Sequence, residues 1–358
     1  MRLPKPLPPN STIGILGGGQ LGRMLSLAAA RLGLKCHIYA PEADSPAFQV
    51  SAAQTVARFD DWDRLAAFAG SVDAVTYEFE NVPGETAAFL ETRVPLAPGA
   101  MALKTAQDRV VEKQFIAGLG INVAPFAAVF DETSLAGAVE KIGRPAILKT
   151  RRLGYDGKGQ VKLGPDAAAS WAEIGRQQAI LEGFITFEKE ISVIAARDWN
   201  GAVAVYDVPE NEHRNHILHT STVPARIAAR TADLARETAA RIAGGLDYVG
   251  VIGVEMFVVG EDVLVNEIAP RVHNSGHWTM DACVVSQFEQ HIRAVAGWPL
   301  GSPERHSDVI MTNLIGDDVT RWAAIAAEPQ TAIHLYGKTE WRPGRKMGHI
   351  NRLTPRQA

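Results

Sequence analysis

Two glutamates, Glu255 and Glu267, flank a candidate hairpin whose turn is Gly260-Glu261-Asp262. With Glu261 central, they lie opposite each other on one sheet face, with Cβ atoms about 5 Å apart. Two carboxylates that close repel unless a cation lies between them, and oxygen ligands favour Mg²⁺. Side chains alternate along a strand, so Asn266 shares that face only if the strand twists locally. The apolar neighbours Val254, Met256, Val265 and Ile268 argue against a hairpin that merely faces solvent. Directly downstream come Arg271, His273, Asn274 and His277. The fork of Arg271 suits a small planar anion such as bicarbonate. A zinc site from His273 and His277 is the competing reading, which Gly276 and the lack of helix signals weaken.

Further phosphate-type chemistry is written elsewhere. Lys149 ends an apolar run, where a lysine is costly unless it meets an anion. A loop with Gly154, Gly157, Gly159 and Lys158 follows and suits a cover over ATP phosphates; a solvated basic hairpin tip is the plain alternative. Gly17, Gly19 and Gly22 match the glycine turn that brings a phosphate to a helix N-terminus. A dinucleotide reading wants an acid at the end of the second strand, but that strand runs into Tyr39-Ala40-Pro41, with Glu42 beyond the proline. A nicotinamide cofactor is therefore disfavoured. The turn is expected to hold some other phosphorylated ligand, in a crevice bordered by Gln20, Glu78 and Glu80. His213, His216 and His219 follow no standard ligand spacing, so at most one is expected at a site. Lys338, Arg345 and Lys346, pinned by Pro343-Gly344, are either a solvated run or a phosphate grip.

The elements that must position these groups fit a soluble multidomain chain. Its 358 residues suggest two or three domains, and 46% hydrophobic with 21% charged residues is ordinary globular composition. A net charge of −4 gives no bulk reason to bind nucleic acid or an anionic membrane. Two cysteines, Cys36 and Cys283, exclude a disulfide framework and suit a reducing cytosol. Residues 1–11 lack the apolar segment of a signal peptide, and no apolar run is long enough to span a bilayer. Strands at 12–16, 35–39, 52–56 and 74–77, with a helix after the glycine turn, predict a doubly wound parallel sheet over the first 100 residues. Beyond it the pattern predicts helices at 108–119, 167–176 and 231–242. Strands are expected at 145–149 and 161–163, with hairpins across Asn200-Gly201 and Gly260-Asp262. The last 58 residues are mixed.

Four segments in order, residues 13–24, 154–160, 266–277 and 343–349, resemble the N5-carboxyaminoimidazole ribonucleotide synthases, ATP-grasp ligases of purine biosynthesis. The resemblance runs from about residue 12 to 352. It implies an α/β and α+β fold: a Rossmann-like domain over 1–107, an ATP-grasp domain over 108–300 with subdomains near 108–180 and 181–300, and a small C-terminal domain over 301–358. It puts Arg109, Lys149, Gly154, Tyr155, Asp156, Gly157, Lys158, Gly159 and Gln160 on the ATP phosphates. Glu182, Gly183, Phe184 and Ile185 would hold the adenine, Glu190 the ribose, and His213 a further contact. Glu255 and Glu267 would ligate Mg²⁺, with Asn266 alongside. Arg271, His273, Asn274 and Lys149 would serve catalysis. Gln20, Leu21, Glu78, Glu80, Tyr155, Asp156, Asn274, Lys338, Arg345 and Lys346 would hold 5-aminoimidazole ribonucleotide, the basic residues taking its 5′-phosphate.

The implied chemistry has two steps. Bicarbonate attacks the γ-phosphoryl group of ATP to give carboxyphosphate and ADP, and the exocyclic amine of the ribonucleotide then takes the carboxyl group. Such a phosphoryl transfer needs positioning and charge neutralisation more than covalent help. A cytoplasmic homodimer is also implied. The rivals are a formate-dependent glycinamide ribonucleotide transformylase, a nicotinamide-dependent dehydrogenase and a catalytically silent nucleotide-binding module.

Overall fold

The computed structural model describes residues 2–154 and 157–357. Its first unit is a four-stranded parallel sheet in the order Ala53–Val56, Lys35–Ala40, Thr12–Leu16, Ala74–Tyr77. Both faces of a parallel sheet must be covered, and alternation along the strands divides the work. Ile13, Ile15 and Ile38 pack with helix Gln20–Arg31 and with Phe288 and Ile292 of helix Gln287–Val295. Leu16, Tyr39 and Tyr77 face Leu65 and Phe68 on the other side. Helix Gln20–Arg31 begins directly after the Gly17–Gly19 turn, as the glycine spacing predicts.

A second, antiparallel sheet orders Phe126–Val129, Ala179–Gly183, Ala146–Thr150 and Gln160–Lys162. Helices Glu132–Ile142 and Ala167–Glu173 cover it through Leu135, Ala138 and Trp171. The helix expected at 108–119 is Arg109–Gly118, and Asp108 caps it by accepting from Val110 and Val111 N–H.

The third sheet has nine strands. Its path runs Asp262–Ala269, Gly250–Val259, Lys189–Arg197, Glu210–Arg214, Ile217–Val223, Ser307–Ile315, Lys346–Pro355, Thr331–Leu335, with Val203–Val205 paired to Lys189–Arg197. The C-terminal segment therefore continues this sheet rather than forming a separate layer: Val223 pairs with Val309 and Thr220 with Thr312. The evenly spaced histidines belong to the hairpin of Glu210–Arg214 and Ile217–Val223, with His216 in its turn at φ 64°. Among the described residues no helix is long and apolar enough to cross a membrane.

Candidate active site

A cleft of about 910 Å³ opens where the three sheets meet. The parallel sheet contributes Gly17 to Leu21, Glu78 and Glu80; the small sheet contributes Lys149, Gly154, Gly157, Lys158 and Gln160. The large sheet brings Glu190, His213, Glu255, Asn266 and Glu267, followed by Arg271, His273 and Asn274, with Arg109 nearby. Lys338, Arg345 and Lys346 close the far end. Gly159 lies behind the wall against Thr150, and its φ of +73° with a Cβ position 2.6 Å from Thr150 Oγ1 requires glycine. Tyr155 and Asp156 lie outside the described residues.

The carboxylate pair is opposed, but for a different reason than the turn suggests. Val259 pairs with Asp262, so the turn is Gly260-Glu261 alone, and Met256 faces Val265. A β-bulge then shifts the register so that Glu255 faces Glu267, with Asn266 the extra residue. A bulge re-aims side chains, which lets neighbouring Asn266 and Glu267 both reach the cleft. Each carboxylate is already steadied by a cationic or protonatable side chain. Arg109 Nη1 donates to Glu267 Oε2 at 2.9 Å, and His273 Nε2 lies 3.0 Å from Glu255 Oε1. Burial alone raises the Glu255 carboxyl, but His273, with His213 and Arg271 beyond, holds it down at about 2. Glu190 Oε2 lies 2.5 Å from His213 Nδ1; burial lowers that imidazole, yet Glu190 leaves it raised overall.

Several of the expected site residues already have partners within the fold. The anion that Lys149 needs is internal: its Nζ donates to Glu182 Oε2 at 2.7 Å. Glu182 is thereby turned inward, 3% exposed, and burial is outweighed by Lys113 and Lys149, which lower its carboxyl. Its Oε2 is thus bonded inside the fold, while Gly183 and Phe184 N–H donate to Pro125 and Pro145 carbonyls. Residues 182–185 are not among those lining the cleft.

The glycine turn holds no open phosphate cradle either. Glu78 fills it, accepting from Gly19 N–H at 2.5 Å and Gly22 N–H at 2.8 Å. Burial raises the Glu78 carboxyl against the pull of these two bonds. Arg271 is committed as well. Its Nε and Nη2 hold both oxygens of Glu80, the latter at 3.0 Å, and Nη1 donates to Val272 O at 3.0 Å. The bidentate face assigned to bicarbonate is therefore filled by Glu80, whose carboxyl Arg271 holds at about 2 despite burial. Asn274 is the opposite case: both its side-chain polar atoms are buried without a partner among the described residues.

His277 is fully buried, with Nδ1 accepting from Gln287 Nε2 at 3.0 Å and its ring packed on His349. Among the described residues no three histidine, cysteine, aspartate or glutamate side chains converge. At the far end, Lys338 Nζ donates to Lys346 O at 2.6 Å and Arg345 Nη1 to Glu340 O at 2.7 Å. Burial, helped by Arg345, brings the Lys338 ammonium down to about 8.

Sequence reading missed Glu112 and Lys113, buried beneath the bulge, and the stacked Phe187–Phe257 pair in the cleft wall, with ring centroids 4.4 Å apart. A charged pair inside the apolar stripe of an amphipathic helix was the available signal for the first.

A small antiparallel sheet carrying a glycine-rich loop, closing over a larger sheet that presents paired carboxylates, is the architecture of an ATP-grasp ligase. Residues 114–288 match the ATP-grasp domain, 10–107 the ribonucleotide synthetase preATP-grasp domain, and 309–358 the phosphoribosylaminoimidazole carboxylase C-terminal domain. The chain is 54% identical over 355 residues to N5-carboxyaminoimidazole ribonucleotide synthase of Brucella melitensis, covering 98% of each chain. Against the Bacillus subtilis enzyme of the same name identity is 41%, over 96% of this chain and 91% of that one. A crystal structure of an N5-carboxyaminoimidazole ribonucleotide synthetase with ADP superposes with TM-score 0.94 at 41% identity, covering 98% and 94% of the two chains. The Aspergillus clavatus synthase, solved with ADP and 5-aminoimidazole ribonucleotide, gives 0.90 at 31% identity, covering 97% and 94%. The chain belongs to the N5-carboxyaminoimidazole ribonucleotide synthase family.

Proposed function

We infer that this chain is an ATP-dependent carbon–nitrogen ligase that carboxylates the exocyclic amine of 5-aminoimidazole ribonucleotide to N5-carboxyaminoimidazole ribonucleotide in purine biosynthesis. The observation that carries the reading is a single cleft running from the glycine loop and the carboxylate bulge, past Arg271 and Asn274, to Lys338 and Arg345. In this reading a nucleotide occupies one end and a phosphorylated ribonucleotide the other, with the reacting groups meeting between them.

In the first step a bicarbonate oxygen attacks the γ-phosphorus, the bond to the β–γ bridging oxygen breaks, and ADP leaves with carboxyphosphate formed. In the second, the ribonucleotide amine attacks the carboxyl carbon, directly or through released CO₂, and phosphate departs. Arg109, Lys149 and Lys158 hold the polyphosphate and neutralise its developing charge. Hard oxygen donors suit Mg²⁺: Glu255 and Glu267 would hold it, with Asn266 alongside, where it supplies positive charge to the transferring phosphoryl group. Asn274, its amide unpaired among the described residues, takes the bicarbonate beside Arg271, which its pairing with Glu80 holds rigidly in place. His273 keeps Glu255 ionised and oriented. Gln20, Leu21, Glu78 and Glu80 border the imidazole, while Lys338, Arg345 and Lys346 take the 5′-phosphate as point-charge and fork donors. A labile acyl phosphate needs water excluded, which the glycine loop over residues 154–160 provides on closing. Buried thiols, pushed up to about 12 by burial at both Cys36 and Cys283, suit a cytosolic enzyme, and a homodimer is the assembly we assign.

The test is ADP release from ATP and bicarbonate, with and without 5-aminoimidazole ribonucleotide, against formate with glycinamide ribonucleotide. Turnover that requires the aminoimidazole and yields its N5-carboxylate supports the reading; turnover only with formate and glycinamide ribonucleotide overturns it.

A further inference from the structure

One face of helix Arg109–Gly118 grips the carboxylate-bearing bulge through three side chains. Arg109 donates to Glu267 Oε2 at 2.9 Å. One turn later Glu112 Oε1 accepts from Ile268 N–H at 2.7 Å, and Lys113 Nζ donates to Asn266 O at 2.8 Å and Val265 O at 3.3 Å. The spacing i, i+3, i+4 puts all three on the same helical face. Bulges leave backbone groups unpaired, and here side chains from another element meet three backbone sites around the extra residue, Val265 O, Asn266 O and Ile268 N–H. Glu112 is 2% exposed and Lys113 1%. Burying two ionisable groups is expensive, and an apolar pair would fill the same volume more cheaply. What an apolar pair lacks is the hydrogen bonds to the bulge backbone. Lys113 also reaches Glu182 at 3.9 Å, the partner of Lys149, so the contacts continue from the bulge into the small sheet.

We propose that Glu112 and Lys113 are positioning residues that fix the Asn266–Glu267 bulge in the register presenting both side chains to the cleft. The proposal rests on the reading of Glu267 as a holder of Mg²⁺, and it deepens that reading by naming what aims the ligand. Groups that orient metal ligands typically change metal affinity ten- to a hundredfold when removed, on the order of the effect expected here.

The experiment uses the full-length protein and four variants, Glu112→Met, Glu112→Gln, Lys113→Met and Glu267→Gln. Calorimetry measures ADP affinity with and without Mg²⁺, beside kcat, KM and the melting temperature. We expect Glu112→Met and Lys113→Met to lose about tenfold of the tightening that Mg²⁺ gives to ADP, with the KM for the ribonucleotide unchanged. Glu112→Gln keeps the tightening, because its amide oxygen still accepts from Ile268. A merely structural role would lower the melting temperature without touching the ratio of the two affinities. Full tightening in Glu112→Met, or equal loss in Glu112→Gln, overturns the clamp. Full tightening in Glu267→Gln overturns the metal reading and the clamp with it. Should Lys113→Met fail to fold, Glu112→Met, which loses one hydrogen bond, decides the question alone.

Discussion

At the end of the cleft we assign to the nucleotide, two of the cations already have acids: Arg109 holds Glu267 and Lys149 holds Glu182. At the end we assign to the ribonucleotide, Lys338 and Arg345 donate to the main-chain carbonyls of Lys346 and Glu340. The two glycine-rich segments divide the same way, though with the sense reversed. Both line the cleft, but in the first the N–H groups of Gly19 and Gly22 are taken by the Glu78 carboxylate, whereas in the second it is a carbonyl, Gly154 O, that accepts from Arg109 Nη2 at 3.2 Å. The difference follows from what each ligand brings. A nucleotide arriving with a divalent cation brings part of its own neutralisation, so the protein there needs balanced, rigid groups. A ribonucleotide phosphate brings none, so the protein must supply positive charge. Glycine content alone does not reveal what a turn's N–H groups meet; at Gly19 and Gly22 it is Glu78.

Breaking the nucleotide end gives the largest effect. Glu267→Gln should reduce ADP formation at least about a hundredfold with the fold intact by circular dichroism, since removing a carboxylate ligand costs several kcal/mol of charge stabilisation. Near-normal turnover at ordinary Mg²⁺ would detach Glu267 from the chemistry. Next comes the other end. Arg345→Ala should raise the KM for the ribonucleotide roughly ten- to a hundredfold, about 1.5–3 kcal/mol for a lost charged hydrogen bond, with the KM for ATP nearly unchanged. A loss shared equally by ATP would erase the distinction between the ends.

Proton loss at Lys338 sharpens the comparison. Burial, Arg345 and Lys346 favour its neutral form while Glu78 opposes them, placing it at about 8. Below that pH the ammonium is intact; above it the charge is lost. At saturating bicarbonate, kcat/KM for the ribonucleotide should therefore fall up to about tenfold per pH unit above 8. Lys338→Met should flatten that limb, and a limb that persists in the variant assigns it to another group. The smallest effect is ionic. Raising salt from about 50 mM to about 0.5 M should raise the ribonucleotide KM several-fold and the ATP KM less, because Lys338 and Arg345 are hydrogen-bonded to neutral carbonyls, whereas Arg109 and Lys149 are hydrogen-bonded to carboxylates. Equal sensitivity for both substrates would contradict the charge contrast.

How much of this is legible in the sequence depends on how far away the deciding partner lies. The parallel sheet and its helix follow from a local pattern of strand, glycine turn and apolar stripe, and the helix at Arg109–Gly118 from its Asp108 cap. The Glu255–Glu267 pairing was legible from symmetry about a turn, but only because a missing turn residue and an added bulge residue compensate. The occupant of the glycine turn is 56 residues beyond Gly22, and nothing local announces that Glu78 returns to it. Glu182 and Lys149 are 33 apart, Lys113 and Asn266 153 apart. Contacts of this kind depend on the register of three sheets at once. The last segment reads as mixed because its strands are ordered by distant pairing: Ser307–Ile315 on Ile217–Val223, Lys346–Pro355 on Ser307–Ile315, and Thr331–Leu335 on Lys346–Pro355.

The continuous nine-stranded sheet bears on how the chain is made. Ile13, Ile15 and Ile38, near the beginning, share one buried cluster with Trp278, Phe288, Val309, Met311 and Tyr336. A ribosome that has released only the first hundred residues has delivered half of a core whose other half is not yet synthesised. Until Ser307–Ile315 emerges, Ile217–Val223 is an open edge able to pair with a neighbouring chain. The architecture that sets the span of the cleft thus obliges the nascent chain to shelter its early strands until later ones arrive.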